Sequence, residues 1–534
     1  MCAFAVAWFF YLGYGPTLRP TNIAWMLRED WAAYFWGFTF FRNAEWLWPL
    51  GNTPDLFWPS GTSVGFTDAN PWASLLFKVL SPVLPEHFQF SGMWYLLCFV
   101  LFALLGARIA AALTDDKVRR ALSGALFALS PLLPSRNGHI ALCAFFFVAA
   151  GVYLNLAAAR SRADAVRLSL CGAVWLAWAA GTHGYLSVML LVLCIAACVR
   201  LAAVERLLKA WEAALAIVGY VATVLGVYWM FGYLGWRPTE LRAKGFGEFS
   251  GDLTALVNPM GWSRFVPDIA VRSRQWEGFS YLGIGALLLL VVSIVQSARA
   301  PASVSNALRR QWPLVVAVLA MWLYSLSSLV AFSGATVLDL SAIYEPFEWL
   351  TGIFRSSGRF SWPLHIVLLV LAVSAAARLT NEWLGRAALL AAVVLQAAEL
   401  NPSKLDFHEV AFRPLEHSAW AESEASYQHL ALVPLNLLWV CRYDHTLVNR
   451  LAYEAYRRRW TFNSGNFMRK QAGVKELCDA PITPDPETIY VAGPRQRRTL
   501  MQSNFTCGAL DGLTVCVSSD RATPLLTALR AAPH

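Results

Sequence analysis

Apolar residues run in blocks through the first 400 positions and thin out after them. A helix needs roughly 20 apolar residues to cross the hydrocarbon of a bilayer, at about 1.5 Å of rise each. Eleven blocks approach that length: 1–14, 93–113, 121–134, 140–159, 168–181, 185–203, 212–235, 279–298, 312–334, 363–379 and 386–400. The pattern predicts an α-helical polytopic membrane protein with about 11 transmembrane helices. The first block is short and lacks the basic head and small-residue cleavage site of a signal peptide, so it reads as an uncleaved first span. Beyond residue 400 the pattern shortens. Thr488–Val491 and Leu513–Val517 read as strands and Leu451–Arg459 as a helix. The expected organisation is a membrane module over 1–400, including a long loop at 15–92, and a small mixed α/β domain over 401–534.

Composition sharpens this reading. The chain is 57% apolar and 14% charged, whereas soluble domains carry about 25% charge. A soluble enzyme is disfavoured, and a disordered chain, a collagen and a small disulfide scaffold are excluded. The net charge of +9 is not a nucleic-acid signal, because Lys and Arg collect on cytoplasmic loops of membrane proteins. With the N-terminus inside, the inner loops fall near 114–120, 160–167, 204–211, 299–311 and 380–385. They and their edges carry Lys117, Arg119, Arg120, Arg160, Arg162, Arg167, Arg206, Lys209, Arg299, Arg309, Arg310, Arg378 and Arg386. The short outer turns at 135–139 and 181–184 hold one base between them, Arg136. The C-terminal domain then lies outside, which in a bacterium is the periplasm, with the spans in the inner membrane. Six of ten cysteines sit within apolar blocks; the four in the tail, Cys441, Cys478, Cys507 and Cys516, allow three pairings. Cys507 with Cys516, across a hairpin at Asp511-Gly512, is the favoured one.

The loop at 15–92 is the most informative stretch. Seven tryptophans are interleaved there with six acids and four bases, a composition suited to helices lying in the membrane interface. Carboxylates near lipid are costly without partners. Asp30, just past the first block, and Asp68 are therefore candidates for a general base or a metal ligand. Each can equally cap a helix or pair with Arg28 or Arg42.

Asp30, Phe41-Arg42, Pro49-Leu50-Gly51 and Phe66-Thr67-Asp68, with Gly138-His139, Thr182-His183-Gly184-Tyr185 and Phe354 to Pro363 later on, resemble a largely uncharacterised bacterial family placed among the GT-C glycosyltransferases. Those enzymes transfer sugars from polyprenyl-phosphate donors. The resemblance implies a GT-C-like fold, a polyprenyl-phosphate-linked sugar as donor and a glycan or lipid acceptor, with membrane lipid around it and no nucleic acid. It implies Asp30 as the catalytic carboxylate, with Asp68 as a second. No Asp-x-Asp pair stands in the first loop, so no cofactor is specified and a divalent metal is left open.

A departing polyprenyl phosphate needs cations, and guanidinium groups match phosphate oxygens. Arg355 and Arg359, four apart, would share one face of a helix, and Arg136 adds a third candidate. The competing assignment pairs the first two with Glu345 and Glu348. His139 and His183, with Arg42 and Trp31 of the first loop, are the expected substrate contacts. His365 reads as a packed polar residue, and Trp460–Arg469 as either an acceptor-binding or an ordinary surface loop. A polysaccharide polymerase or ligase would use the same groups. A transporter or flippase of lipid-linked sugar also suits many spans, but repeats and mid-membrane polar residues are not evident. No Walker loop, GxSxG or HExxH occurs.

Overall fold

All eleven apolar blocks are helical over most of their length in the computed structural model, which describes residues 1–235, 245–409, 412–438, 440–441, 443–467, 476–478 and 480–531. Among the described residues, five helices are long and apolar enough to cross a membrane: Ser91–Ala110, Arg162–Ala180, Gly184–Val204, Ala210–Met230 and Ser357–Ala377. A sixth span arises if Ile284–Arg299 and Pro301–Leu326, bent by 106° at their junction, count as one. By length and composition the expected eleven are therefore not confirmed, for local reasons. Cys2–Tyr11 has only ten residues. The block at 121–134 breaks around Pro131 into Lys117–Ala128 and Leu132–Ser135. Ile140–Cys143 is a 3₁₀ turn ahead of Phe146–Leu156. Glu382–Glu399 is long, but Glu382, Arg386 and Glu399 charge it.

The chain divides into two units, and the division departs from the boundary expected at residue 400. The first comprises Met1–Arg19, Phe90–Tyr228 and Arg242–Phe407; the second comprises Pro20–Gln89, Trp229–Leu241 and His408–His534. Most of the first outer loop thus folds with the tail, not with the spans.

In the helical unit, short polar side chains start the helices. Ser161 and Asp164 form a capping box on Arg162–Ala180, and Asp116, His183 and Asn381 cap Lys117–Ala128, Gly184–Val199 and Glu382–Glu399. The loops assigned to the inside are tied to one another: Arg386 to Asp116 at 2.7 Å, Arg310 to Glu205 at 3.0 Å, and Arg162 to Glu212. His365 is fully buried and bonded to Ser130 Oγ at 3.0 Å and the Ser280 carbonyl at 2.9 Å, the packed polar role its position suggested.

The second unit is built on a five-stranded sheet ordered Thr461–Phe462, His429–Val433, Thr488–Ala492, Leu513–Ser518, Phe505–Leu510. The first three strands are parallel and the last two antiparallel. Asp511 and Gly512 turn the final hairpin with φ of 49° and 76°, the left-handed pair that a tight hairpin requires. Cys507 and Cys516 face each other across it and are disulfide-bonded, as are Cys441 and Cys478. The tryptophans of the first loop do not act uniformly as interfacial anchors. Trp25, Trp31 and Trp36 are buried in this unit, while Trp46 and Trp48 are about half exposed.

Candidate functional site

The candidate residues fall in both units. Asp30, Trp31, Arg42 and Asp68 belong to the sheet-bearing unit; Arg136, His139, His183, Arg355 and Arg359 belong to the helical one.

Asp30 is the second residue of helix Glu29–Asn43, where the positive end of the helix dipole favours an anion. The helix is clamped from two sides. Trp36 Nε1 donates to Asn449 Oδ1 at 2.8 Å, and Asn449 Nδ2 donates to the Leu27 carbonyl at 2.7 Å. Asn449 stands on helix His445–Arg457, itself capped by Asp444. Opposite, Gly37 lies so close to Thr67 that a Cβ would fall 2.0 Å from its Oγ1. So fixed, Asp30 accepts one hydrogen bond through Oδ1, from Asn466 Nδ2 at 3.1 Å. Among the described residues its other oxygen has no hydrogen-bond partner and no cation pairs with it. Burial and then the Asp30 charge push the Tyr443 phenol well above its ordinary pKa, so it stays protonated nearby.

The other loop residues are differently employed. Trp31 is buried, edge-on to Trp25 at 5.4 Å, with the Arg28 guanidinium 4.9 Å over its ring. Arg42 spends its donors on Ser81 Oγ and the carbonyls of Ser81, Leu84, Pro85 and Glu86. It clasps the 81–86 turn, so the substrate contact expected of it has no donor left. Asp68 ends the short turn Val64–Thr67 with φ of 55°.

In the helical unit the arginines gather around an acid that the sequence did not single out. Arg359 meets the Glu277 carboxylate in a fork, Nε to Oε2 at 2.9 Å and a terminal nitrogen to Oε1 at 2.8 Å. Arg136 donates to the same Oε2 at 2.9 Å and to the carbonyls of Trp276 and Glu277. His139 Nε2 lies 4.0 Å from Oε1. All four side chains are buried, and Trp276 and Trp362 flank the Arg136 cation. Burial alone would raise the Glu277 pKa; the charges of Arg359 and Arg136 outweigh it and hold the carboxyl well below the usual range. Glycine permits the approach: a Cβ on Gly358 would lie 2.7 Å from Gly278 Cα, and one on Gly278 would lie 2.5 Å from Gly251 Cα.

The helical spacing expected of Arg355 and Arg359 is not realised, because residues 355 and 356 precede the 3₁₀ turn Ser357–Ser361. Nor does Arg359 pair with Glu345 or Glu348; its partner is Glu277. Arg355 is half-buried, with its guanidinium 5.1 Å over the Phe249 ring. His183 caps its helix through Nδ1, accepting from Tyr185 N at 3.1 Å. Of the expected acceptor loop, Asn463 and Ser464 bond within the sheet-bearing unit and Asn466 reaches Asp30. Met468 and Arg469 lie outside the described residues. Among the described residues, no group of three or more His, Cys, Asp or Glu is placed to hold a metal ion.

Residues 2–401 match the model of the family described as "Domain of unknown function (DUF6311)". The chain belongs to that family. Residues 419–518 match the companion "DUF6311 C-terminal domain". No curated protein matches the sequence. Among solved structures, the archaeal oligosaccharyltransferase AglB from Archaeoglobus fulgidus, in complex with an inhibitory peptide and a dolichol-phosphate, is similar at 12% identity with a TM-score of 0.34. The match takes in 87% of this chain and 64% of that one, so the chain spans less than two thirds of the AglB length.

Proposed function

We propose that this member of the DUF6311 family is a membrane glycosyltransferase of the GT-C kind. It moves a sugar from a polyprenyl-phosphate carrier to a glycan or lipid acceptor on the non-cytosolic side. The observation that carries the reading is the state of Asp30. One carboxylate oxygen is anchored by a neutral amide and the other has no hydrogen-bond partner among the described residues, on a helix fixed by Asn449 and Thr67. A general base needs that combination of a set position and an open oxygen. The resemblance of the first-loop motifs to polyprenyl-phosphate-dependent enzymes supplies the substrate class.

In the proposed reaction Asp30 takes the proton of an acceptor hydroxyl as its oxygen attacks the anomeric carbon. The bond from that carbon to phosphate oxygen breaks, and the polyprenyl phosphate leaves as a stable anion without a general acid. Arg136 and Arg359 move to a framing role, since both are bound to Glu277.

The test is sugar transfer from labelled polyprenyl-phosphate donors in membranes containing the full chain. Asp30→Asn should lower kcat by roughly a hundredfold or more, the usual worth of a general base. Asn466→Ala, which only frees the carboxylate, should lower it less. Wild-type turnover by Asp30→Asn would overturn the reading.

A further inference from the structure

A second feature lies at the end of the helical unit where the basic inner loops are joined. A cavity of about 360 Å³ opens there, with Arg108, Tyr153 and Arg167 on its walls. These residues come from the end of helix Ser91–Ala110, the end of Phe146–Leu156 and the start of Arg162–Ala180. Ala111, Ala112, Ala157 and Ala158 line much of the rest of the cavity, so the space is left open by small side chains.

The cations are set for a ligand. Arg108 donates through Nε to the Tyr153 hydroxyl at 3.0 Å, which orients the guanidinium and leaves its terminal amino groups without hydrogen-bond partners among the described residues. Arg167 is exposed and forms neither a hydrogen bond nor an ion pair among them. The acid on the wall, Asp164, accepts through Oδ2 from the backbone of Arg160 and Ser161 at 3.1 Å and from Ser161 Oγ at 2.9 Å, and its carboxylate also feels the charge of Arg167. By contrast Arg120, at the same end, is spent on the Thr114 carbonyl and Asp115. Two guanidinium groups around an open, small-residue floor match phosphate oxygens. Basic pockets between helix ends at a membrane surface are where anionic headgroups bind.

We propose that this cavity binds the phosphate of an anionic membrane lipid. The apolar floor takes the lipid backbone next to the headgroup. Free phosphate offers the same oxygens but no such apolar part, so the proposal requires the lipid.

The purified full chain would be equilibrated with vesicles of phosphatidylcholine containing dilute phosphatidylglycerol, and bound lipid read by native mass spectrometry. Wild type should retain phosphatidylglycerol over phosphatidylcholine. Arg108→Gln and Arg167→Gln, both at exposed side chains, should each weaken that retention by roughly tenfold or more, as loss of a charge-assisted hydrogen bond implies. Ala158→Phe keeps both arginines but fills the cavity, and should weaken it comparably. Arg120→Gln should leave it unchanged. Retention unaffected by all three cavity variants overturns the proposal. So does displacement of the lipid by inorganic phosphate at equal concentration, which would mark a free-anion site.

Discussion

Glu277 shows how a single residue can redefine the role of two others. A buried carboxylate with one cation missing, or two buried guanidinium groups with no carboxylate, is far costlier than the complete cluster. Glu277→Gln should therefore destabilise the helical unit by about 3–5 kcal/mol, read as a lowered melting temperature in detergent, while Glu345→Gln and Glu348→Gln should have little effect. Because its folded pKa is depressed, the Glu277 contribution is fully present above the unfolded carboxylate value and is lost only as pH falls through the folded one. Lys78 also has a depressed folded pKa, but there burial disfavours the charged form. Its amine, buried beside Phe41 and Trp46, is lowered by burial to about 8 from 10.5, with Asp55 opposing. Between those values the unfolded chain binds the extra proton, so stability should rise with pH across that window. The melting difference between wild type and Lys78→Met, followed over that range, checks it; a flat difference would count against a buried amine. Asp30 was visible in the sequence as an acid among aromatics, where a charge demands explanation. Glu277 was not, because its partners lie 141 and 82 residues away in other loops. Its one signal was indirect: Arg136, a base in a short outer turn, needs an acid.

Elements were legible where a local rule decides them. The Asp-Gly dipeptide between two apolar runs specifies the hairpin, and the hairpin register sets Cys507 against Cys516. Span count was less legible, because apolar content does not report where a helix breaks: Pro131 splits one block and the bend before Pro301 folds another pair. The second disulfide joins segments 37 residues apart, against 9 for the first. A crosslink that closes a longer loop removes more entropy from the unfolded chain, by about 1 kcal/mol for this difference. Cys441→Ser with Cys478→Ser should thus lower the unfolding midpoint of the full chain more than Cys507→Ser with Cys516→Ser. The reverse order would show that packing of Cys507 and Cys516 in the sheet core, where both are buried, outweighs loop closure.

At the scale of the whole molecule, the ion pairs sort the loops into two sets. Asp116, Glu205 and Glu212 bind arginines from other loops assigned to the inside, whereas Glu277 in 236–278 binds Arg136 in 135–139 and Arg359 in 335–362, three segments that the same inner-loop assignment leaves outside. No ion pair among the described residues of the helical unit joins the two sets. The positive-inside bias then decides which set faces the cytosol. Cysteine labelling tests this directly in a Cys2→Ser, Cys171→Ser background, which removes the exposed free thiols. Trp46→Cys, at a side chain 55% exposed, should react with a membrane-impermeant maleimide in intact cells. Arg309→Cys, exposed in a loop assigned to the inside, should react only after permeabilisation. If the two exchange behaviour, the first loop faces the cytosol, and Asp30 could not serve a donor presented on the other leaflet.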